Sequence, residues 1–371
     1  MRPLIQEIPA VLTPESLAAQ LLCTSHSNVT LLRSSPCDSP AARYSFVTAN
    51  PFLTFRSCGS HCEISSPRTP DARPRIQFGN PWHLLDTLMS RFELLDEIDS
   101  PFPLGGCFGY WGYDLKNFTE PKLPRRAIDD LELPDCHVGF YDSLVVFDHC
   151  LDKAFIVSTG LAADGSRSEK RAQEQLDFWT AATGRSLPST RHVASFQSAD
   201  MSAHSKISSN VSRADFLSAV ERAQRYIRAG DIYQVNLSQR LTAPCDFPGA
   251  PRRSTSAKPG WGLFQELSAV SPAPFSAFLD CGDFEVASSS PEQFLRLSGS
   301  HIQTRPIKGT RPRDADPTRD AQLAWELQTS AKELAELVMI TDLLRNDLGK
   351  VCEFGSVQTP ELARLERFAQ V

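Results

Sequence analysis

From about residue 161 to residue 211 the chain shifts to Ser, Ala, Arg and Gln and loses sustained apolar periodicity. A stretch of this kind buries little apolar surface, so the segments on either side are left to build the cores. Within it, residues 168–183 have the make-up of a helix, whereas residues 186–210 read as an exposed linker. The expected organisation is therefore residues 1–160, a linker over 161–211, and residues 212–371. With 371 residues there is enough chain for two ordinary domains.

Composition narrows the classes. Hydrophobic residues at 41% and charged residues at 22% describe a globular chain, neither disordered nor membrane-embedded. No run of 18 apolar residues occurs, and the start, Met1 to Glu7, lacks the charged-apolar-small order of a secretory signal. A cytoplasmic protein is the expectation. Net charge is −6 with both signs mixed along the chain, so nucleic acid is not an expected partner. The ten cysteines are scattered and read as reduced thiols. Cys58-Gly59-Ser60-His61-Cys62 lacks the second ligand pair that a zinc site needs.

The first region reads as short strands between turns. Tyr44 to Ala49 precedes an Asn-Pro turn, and Ser143 to Asp148 has the pattern of a buried strand. Between them Gly105 to Tyr113 alternates glycines with aromatic residues, which suits a strand closely approached by a neighbour, expected to be a helix packed on the sheet. The second region opens with a capped amphipathic helix over Phe216 to Ile227, ended by Gly230. A strand is expected over Ile232 to Gln239, with Tyr233, Val235 and Leu237 on one face and Gln234, Asn236 and Ser238 on the other. The polar face meets water or lines a polar cavity. Strands follow over 275–280, 284–290 and near 301–304, and Asp316-Pro317 starts a single long helix running to about Leu344.

The stretch Thr304 to Arg313 sets Lys308 beside Gly309 and among Arg305, Arg311 and Arg313. Neighbouring cations disfavour an ammonium, so they make a free amine available as a nucleophile, and the arginines offer a landing site for a small polyanion. The competing reading is a solvated basic loop. On the following helix Glu333 and Glu336 stand three apart and share a face, next to the apolar Leu334, Ala335, Leu337, Val338 and Ile340, so this helix is expected to be largely buried. Two such carboxylates need a cation, for which Mg²⁺ fits, or basic partners such as Lys332 or Arg345. Glu292 ends a strand sixteen positions before Lys308, where a proton donor facing a nucleophile would stand.

Taken in order, Gly230 to Ser238, Ser290-Pro291-Glu292, Arg305 to Arg313, Lys332-Glu333 with Glu336, and Asp342 to Gly349 resemble the motifs of the chorismate-utilising enzymes. This family includes anthranilate synthase large subunits, aminodeoxychorismate synthase component I, and the isochorismate and salicylate synthases. Tyr44-Ser45-Phe46 and Gly106 to Asp114 resemble its N-terminal region. The resemblance implies an α+β fold, with antiparallel β-sheets packed as a sandwich core, helices outside, and the C-terminal part missing. Lysine at 308, where anthranilate synthases typically carry alanine, points to the aminodeoxychorismate synthase branch, as does Phe108 to Lys116.

That branch implies amination of chorismate to 4-amino-4-deoxychorismate for 4-aminobenzoate and folate synthesis, with ammonia from a separate glutaminase (glutamine amidotransferase) subunit. By resemblance Lys308 is the nucleophile and Glu292 the acid/base. Gln234, Asn236, Arg305, Gly309, Thr310 and Arg311 would bind substrate, and Glu333 and Glu336 would hold Mg²⁺. Ser34, Tyr44, Ser45, Pro274 and Phe275 match a tryptophan site of some relatives, although Arg33 replaces the glutamate usual in the anthranilate branch. Leu337 stands where many relatives have histidine. Relatives continue past the position of Val371, so a truncated chain with little or no activity is expected. The alternatives are an anthranilate synthase component I and a non-catalytic fragment that binds chorismate, tryptophan or the glutaminase.

Overall fold

The structure is a computed structural model that describes residues 2–9, 12–24, 26–34, 42–69, 73–94, 98–126, 128–184, 207–244 and 258–371. The expected linker over 186–210 lies outside the described residues as far as residue 206. The chain forms two units, residues 1–186 with 256–371, and residues 187–255. The compositional boundaries at 160 and 211 differ from this division, because strand pairing crosses them.

The first unit begins β1 (Leu4–Ile8), α1 (Pro14–Cys23), β2 (Thr30–Arg33), β3 (Tyr44–Thr48), β4 (Leu53–Cys58), β5 (His61–Ser65) and β6 (Arg75–Phe78). It goes on through α2 (Pro81–Arg91), β7 (Gly106–Trp111), α3 (Lys116–Thr119), β8 (Cys136–Tyr141), β9 (Ser143–Asp148), β10 (Lys153–Ser158) and α4 (Glu169–Thr183). The second unit holds β11 (Ser208–Ser209), α5 (Arg213–Ala229) and β12 (Leu241–Thr242). The first unit then resumes with α6 (Pro259–Val270), β13 (Phe275–Asp280), β14 (Glu285–Ser290), β15 (Gln293–Ser298), β16 (His301–Arg305), α7 (Pro317–Thr329) and α8 (Ala331–Gly349).

Two antiparallel sheets, seven strands in the order β1-β10-β9-β3-β2-β13-β14 and five in the order β6-β5-β4-β8-β7, form the frame of the first unit. The α+β class expected from the sequence is what the chain adopts. β9 shows why its run of apolar residues makes a central strand. Val145 and Phe147 join the core under α1, α4 and α6, whereas Leu144 and Val146 face a second cluster with Phe46, Phe102 and Phe108. Trp179 of α4 is fully buried, and its Nε1 donates to Ser143 Oγ at 2.9 Å. This anchors part of the expected linker to the sheet.

Where β8 passes into β9, Asp142 is wholly buried. It is tolerated there because Arg68 pairs with it at 2.7 Å and Arg171 at 3.4 Å. The glycine-aromatic strand β7 is closely approached as expected, but by a strand and not a helix. A Cβ at Gly109 would lie 2.1 Å from the His137 carbonyl oxygen of β8. α6 is pinned to the β13–β14 hairpin through its N-terminus. Glu285 accepts from the Gly260 N–H at 2.6 Å, where the helix dipole favours an anion, and Lys258 pairs with Asp280 at 2.8 Å.

Three expectations change. The strand expected over Ile232 to Gln239 does not form. Its segment finds no ladder partner among the described residues of its unit, and Tyr233, Val235 and Leu237 stay exposed. The helix after Asp316 is two helices. Asp316 caps the first, its carboxylate accepting from the Thr318 N–H at 3.0 Å, and Ser330 breaks the run by leaving helical dihedrals and capping α8. α8 is also not largely buried: Leu334 and Val338 are 41% and 45% exposed, and its inward face is formed by Glu333, Glu336, Leu337 and Ile340. No helix among the described residues is long and apolar enough to cross a membrane.

Two measurements test this frame. Phe278 is fully buried, with its ring 5.0 Å from Trp261 and 5.8 Å from Phe264. Phe278→Ala is expected to cost about 3–5 kcal/mol in urea unfolding, and a loss under about 1 kcal/mol would contradict the packing. Burial holds His137 and His149 below the usual imidazole value of 6.5. The unfolded chain then binds more protons than the folded one as pH falls below 6.5, so stability is full above that value and is lost towards the depressed folded values. Urea midpoints between about pH 7 and pH 5 should fall less in a His137→Gln/His149→Gln variant than in the unaltered chain.

Candidate active site

β14 runs through Pro291 and Glu292 directly into β15, an element the sequence pattern did not disclose. β15 pairs with β16, so that Gln293 stands opposite Arg305. This hairpin brings Glu292 to the start of the Lys308 loop, where its Oε1 accepts from the Ile307 N–H at 3.1 Å. Gly309 turns the chain with φ +73, which a side chain would strain. A Cβ there would meet Leu327 Cδ1 at 2.8 Å and Glu333 Cβ and Oε2 at 3.1 Å. The loop therefore closes on the junction of α7 and α8, with Glu292 held at Ile307 and Glu333 beside Gly309, while Lys308 lines the adjoining cavity.

Each of the three arginines around Lys308 meets a carboxylate. Arg305 pairs with Glu366, Arg311 Nη1 lies 3.4 Å from Glu333 Oε1, and Arg313 is held by Asp320 at 2.8 and 3.2 Å. The cationic surround read from the sequence is thus offset carboxylate by carboxylate, because the acids come from α7, α8 and the C-terminal segment. Arg311 also donates to the Thr310 carbonyl at 2.9 Å. A cavity of about 1240 Å³ opens here. Lys308, Thr310 and Arg311 line one side, and Leu337, Leu344 and Leu348 of α8 another. Cationic and apolar walls together suit a small anionic ligand with an apolar ring.

Glu333 and Glu336 share the half-buried face of α8 one turn apart. They are hard oxygen donors, and Mg²⁺ commonly takes one or two protein carboxylates and completes its shell from water and substrate, so the pair fits that ion. Among the described residues no three His, Cys, Asp or Glu side chains form a cage by themselves. The basic partner of Glu333 is Arg311, whereas Arg345, named from the sequence as a candidate, pairs with Asp342 at 3.3 Å.

Gln234 and Asn236 belong to the second unit, where Gln234 Nε2 lies 3.4 Å from Asn236 Oδ1, while the Lys308 loop belongs to the first. Of the positions matched to tryptophan binding, Ser34 donates through Oγ to the Pro274 carbonyl at 2.9 Å and through its N–H to Ser45 Oγ at 2.9 Å. Ser45 Oγ lies 2.7 Å from His149 Nε2. Tyr44, on the opposite face of β3, packs on Phe102 and Phe46. Phe275 pairs with Ser290. The five positions are therefore split between two faces. Away from the site, burial pushes the Cys107 and Cys281 thiols up to about 12, which keeps them protonated and unreactive.

Sequence reasoning missed Glu366 and Asp320. Glu366 lies far from the loop in sequence and Asp320 on the next helix, and a lone acid in a charged stretch gives no signal of its partner.

Known proteins are similar to this chain in sequence and fold. A family model described as chorismate binding enzyme matches residues 49–371. Anthranilate synthase component 1 of Acetivibrio thermocellus is 34% identical over 340 residues, covering 89% of this chain and 64% of that protein. Aminodeoxychorismate synthase component 1 of Salmonella typhimurium is 34% identical over 344 residues, covering 92% and 67%. The chain thus spans roughly two thirds of the length of these curated relatives. The crystal structure of anthranilate synthase component I from Streptococcus pneumoniae TIGR4 matches with a TM-score of 0.67 at 26% identity, over 91% of this chain and 69% of that one. The menaquinone-specific isochorismate synthase of Escherichia coli matches at 0.56 with 12% identity, over 99% and 68%, a likeness of fold alone. By its family match and by the identity of these relatives, the chain belongs to the chorismate binding enzymes.

Proposed function

We propose that this chain carries the chorismate-aminating site of an aminodeoxychorismate synthase large subunit. The single observation supporting this branch is a lysine at 308, in a loop whose preceding N–H is held by the Glu292 carboxylate. In the proposed reaction the Lys308 amine forms a bond to C2 of chorismate while the C4 hydroxyl leaves by allylic displacement. Glu292 protonates that hydroxyl, so water departs. Ammonia then forms a bond at C4 as the C2–N bond breaks and its electron pair returns to Lys308. A proton lost from the new ammonium restores the acid, leaving 4-amino-4-deoxychorismate.

The remaining groups orient and neutralise. Arg311 and Thr310 face the substrate's carboxylates from the loop, and the Leu337 and Leu344 wall excludes water from its ring. Mg²⁺ held by Glu333 and Glu336 would supply charge neutralisation for the ring carboxylate. Ammonia would come from a glutaminase subunit. The second reading, an anthranilate synthase component, is favoured by a relative of that name at 34% identity.

Incubation of a form extended to the full length of the curated relatives with chorismate, Mg²⁺ and ammonia, followed by acid quench and peptide mass spectrometry, should reveal Lys308 carrying chorismate less water. Lys308→Ala should lose both this adduct and any aminodeoxychorismate. Direct release of fluorescent anthranilate, with Lys308 unmodified, would instead assign the anthranilate branch. In calorimetry, chorismate binding should strengthen at least about tenfold with Mg²⁺, and Glu333→Gln/Glu336→Gln should abolish that gain. A gain that survives the double substitution removes those carboxylates from metal binding.

A further inference from the structure

The last residues of the chain clasp the Lys308 loop at both ends. At its start the Arg305 guanidinium pairs with Glu366, and the two side chains are only 22% and 20% exposed. At its end the Arg313 N–H donates to the Gln370 carbonyl at 3.0 Å, and Arg313 Nη1 donates to the Phe368 carbonyl at 3.0 Å. Asp320 joins this second grip, binding Arg313 and lying 3.5 Å from Arg367. Between the two grips run residues 306–312, with Lys308 near the middle. Glu292 at the Ile307 N–H and Glu333 at Arg311 hold the loop from within.

An exposed ion pair would contribute little here. This pair is half-buried on the cavity wall, so removing one partner costs more than it would at the open surface. Glu366 therefore fixes where Arg305 lies, and Arg305 ends the strand from which the loop departs. The guanidinium is already committed to the protein. The geometry points to Glu366 as a positioning residue for Lys308, acting through Arg305, with Arg305 itself a fixed post of the loop and not a contact to substrate. This rests on the reading of Lys308 as the reacting amine.

The test uses the full chain and an amine-acylating reagent at about pH 8, with site-resolved rates from peptide mass spectrometry. Lys170, whose side chain is 88% exposed, serves as the internal reference. Glu366→Gln removes this grip on Arg305 and loosens the loop, so the rate at Lys308 relative to Lys170 should rise at least about threefold. Glu366→Asp, which keeps the charge, should return at least about half of the difference. The swap Arg305→Glu/Glu366→Arg should return the ratio towards that of the unaltered chain while chorismate binding is measured in parallel.

A ratio unchanged in Glu366→Gln overturns the proposal, as does a change that neither Glu366→Asp nor the swap reverses. Loss of chorismate binding in the swap, with the ratio restored, would make Arg305 a direct ligand and overturn its role as a post. Formation of the Lys308 adduct is scored separately. Its absence with a responsive ratio sinks the chemistry of amination and spares the clamp, whereas an adduct with an unresponsive ratio does the reverse.

Discussion

Thr30 to Arg33 of β2 pair with Leu279 to Ser276 of β13, joining segments far apart in sequence into one ladder. Everything that makes the site hangs from this pairing. β13 carries β14, β14 runs into Glu292, and the β15–β16 hairpin then delivers the Lys308 loop. The ladder is held by burial on the helix-covered side, where Leu31 and Phe278 stand opposite each other in one core with α1, α4 and α6. A non-local pairing of this kind costs loop-closure entropy before its contacts form. The aromatic cluster of Trp261, Phe264 and Phe278 supplies the apolar burial that offsets it.

Charge is handled the same way throughout the molecule, by pairing at the point of burial. Asp142 with Arg68 and Arg171, Asp280 with Lys258, and Asp148 with Arg43 each neutralise an acid that the fold takes out of water. The Lys308 loop extends this rule. Its arginines are matched to Glu366, Glu333 and Asp320, so the loop gains geometry from them and not a strong field. Lys308 lines the same cavity, and the proposed chemistry uses its neutral amine.

Much of this was legible beforehand. A turn after β3 and the buried apolar run of β9 made those strands legible, and strands were also read over β13 and β14, because such short runs and their turns are local features. The caps of α5 and α7 were legible for the same local reason: Ser212, Gly230 and Asp316 bond within three residues of themselves or turn the chain in place. The Ser330 break was not, since a serine within a helical pattern is compatible with either continuation or a cap. The strand expected over 232–239 misled because alternation states which faces are available and not whether a partner strand exists. The exposed side of α8 misled likewise: Leu334 and Val338 are apolar, but burial depends on what covers them.

By itself the sequence determined the chemistry on offer: a lysine beside a glycine among arginines, a glutamate at a strand end, and two glutamates one helical turn apart. These follow from residue identity and short-range geometry, which need no knowledge of distant contacts. Tertiary structure alone decided which charges cancel, and that Glu292 reaches the Ile307 amide while Glu366 reaches back across the chain to Arg305. Such partners are chosen by where strand pairing and helix packing bring the backbone, and no local pattern encodes that.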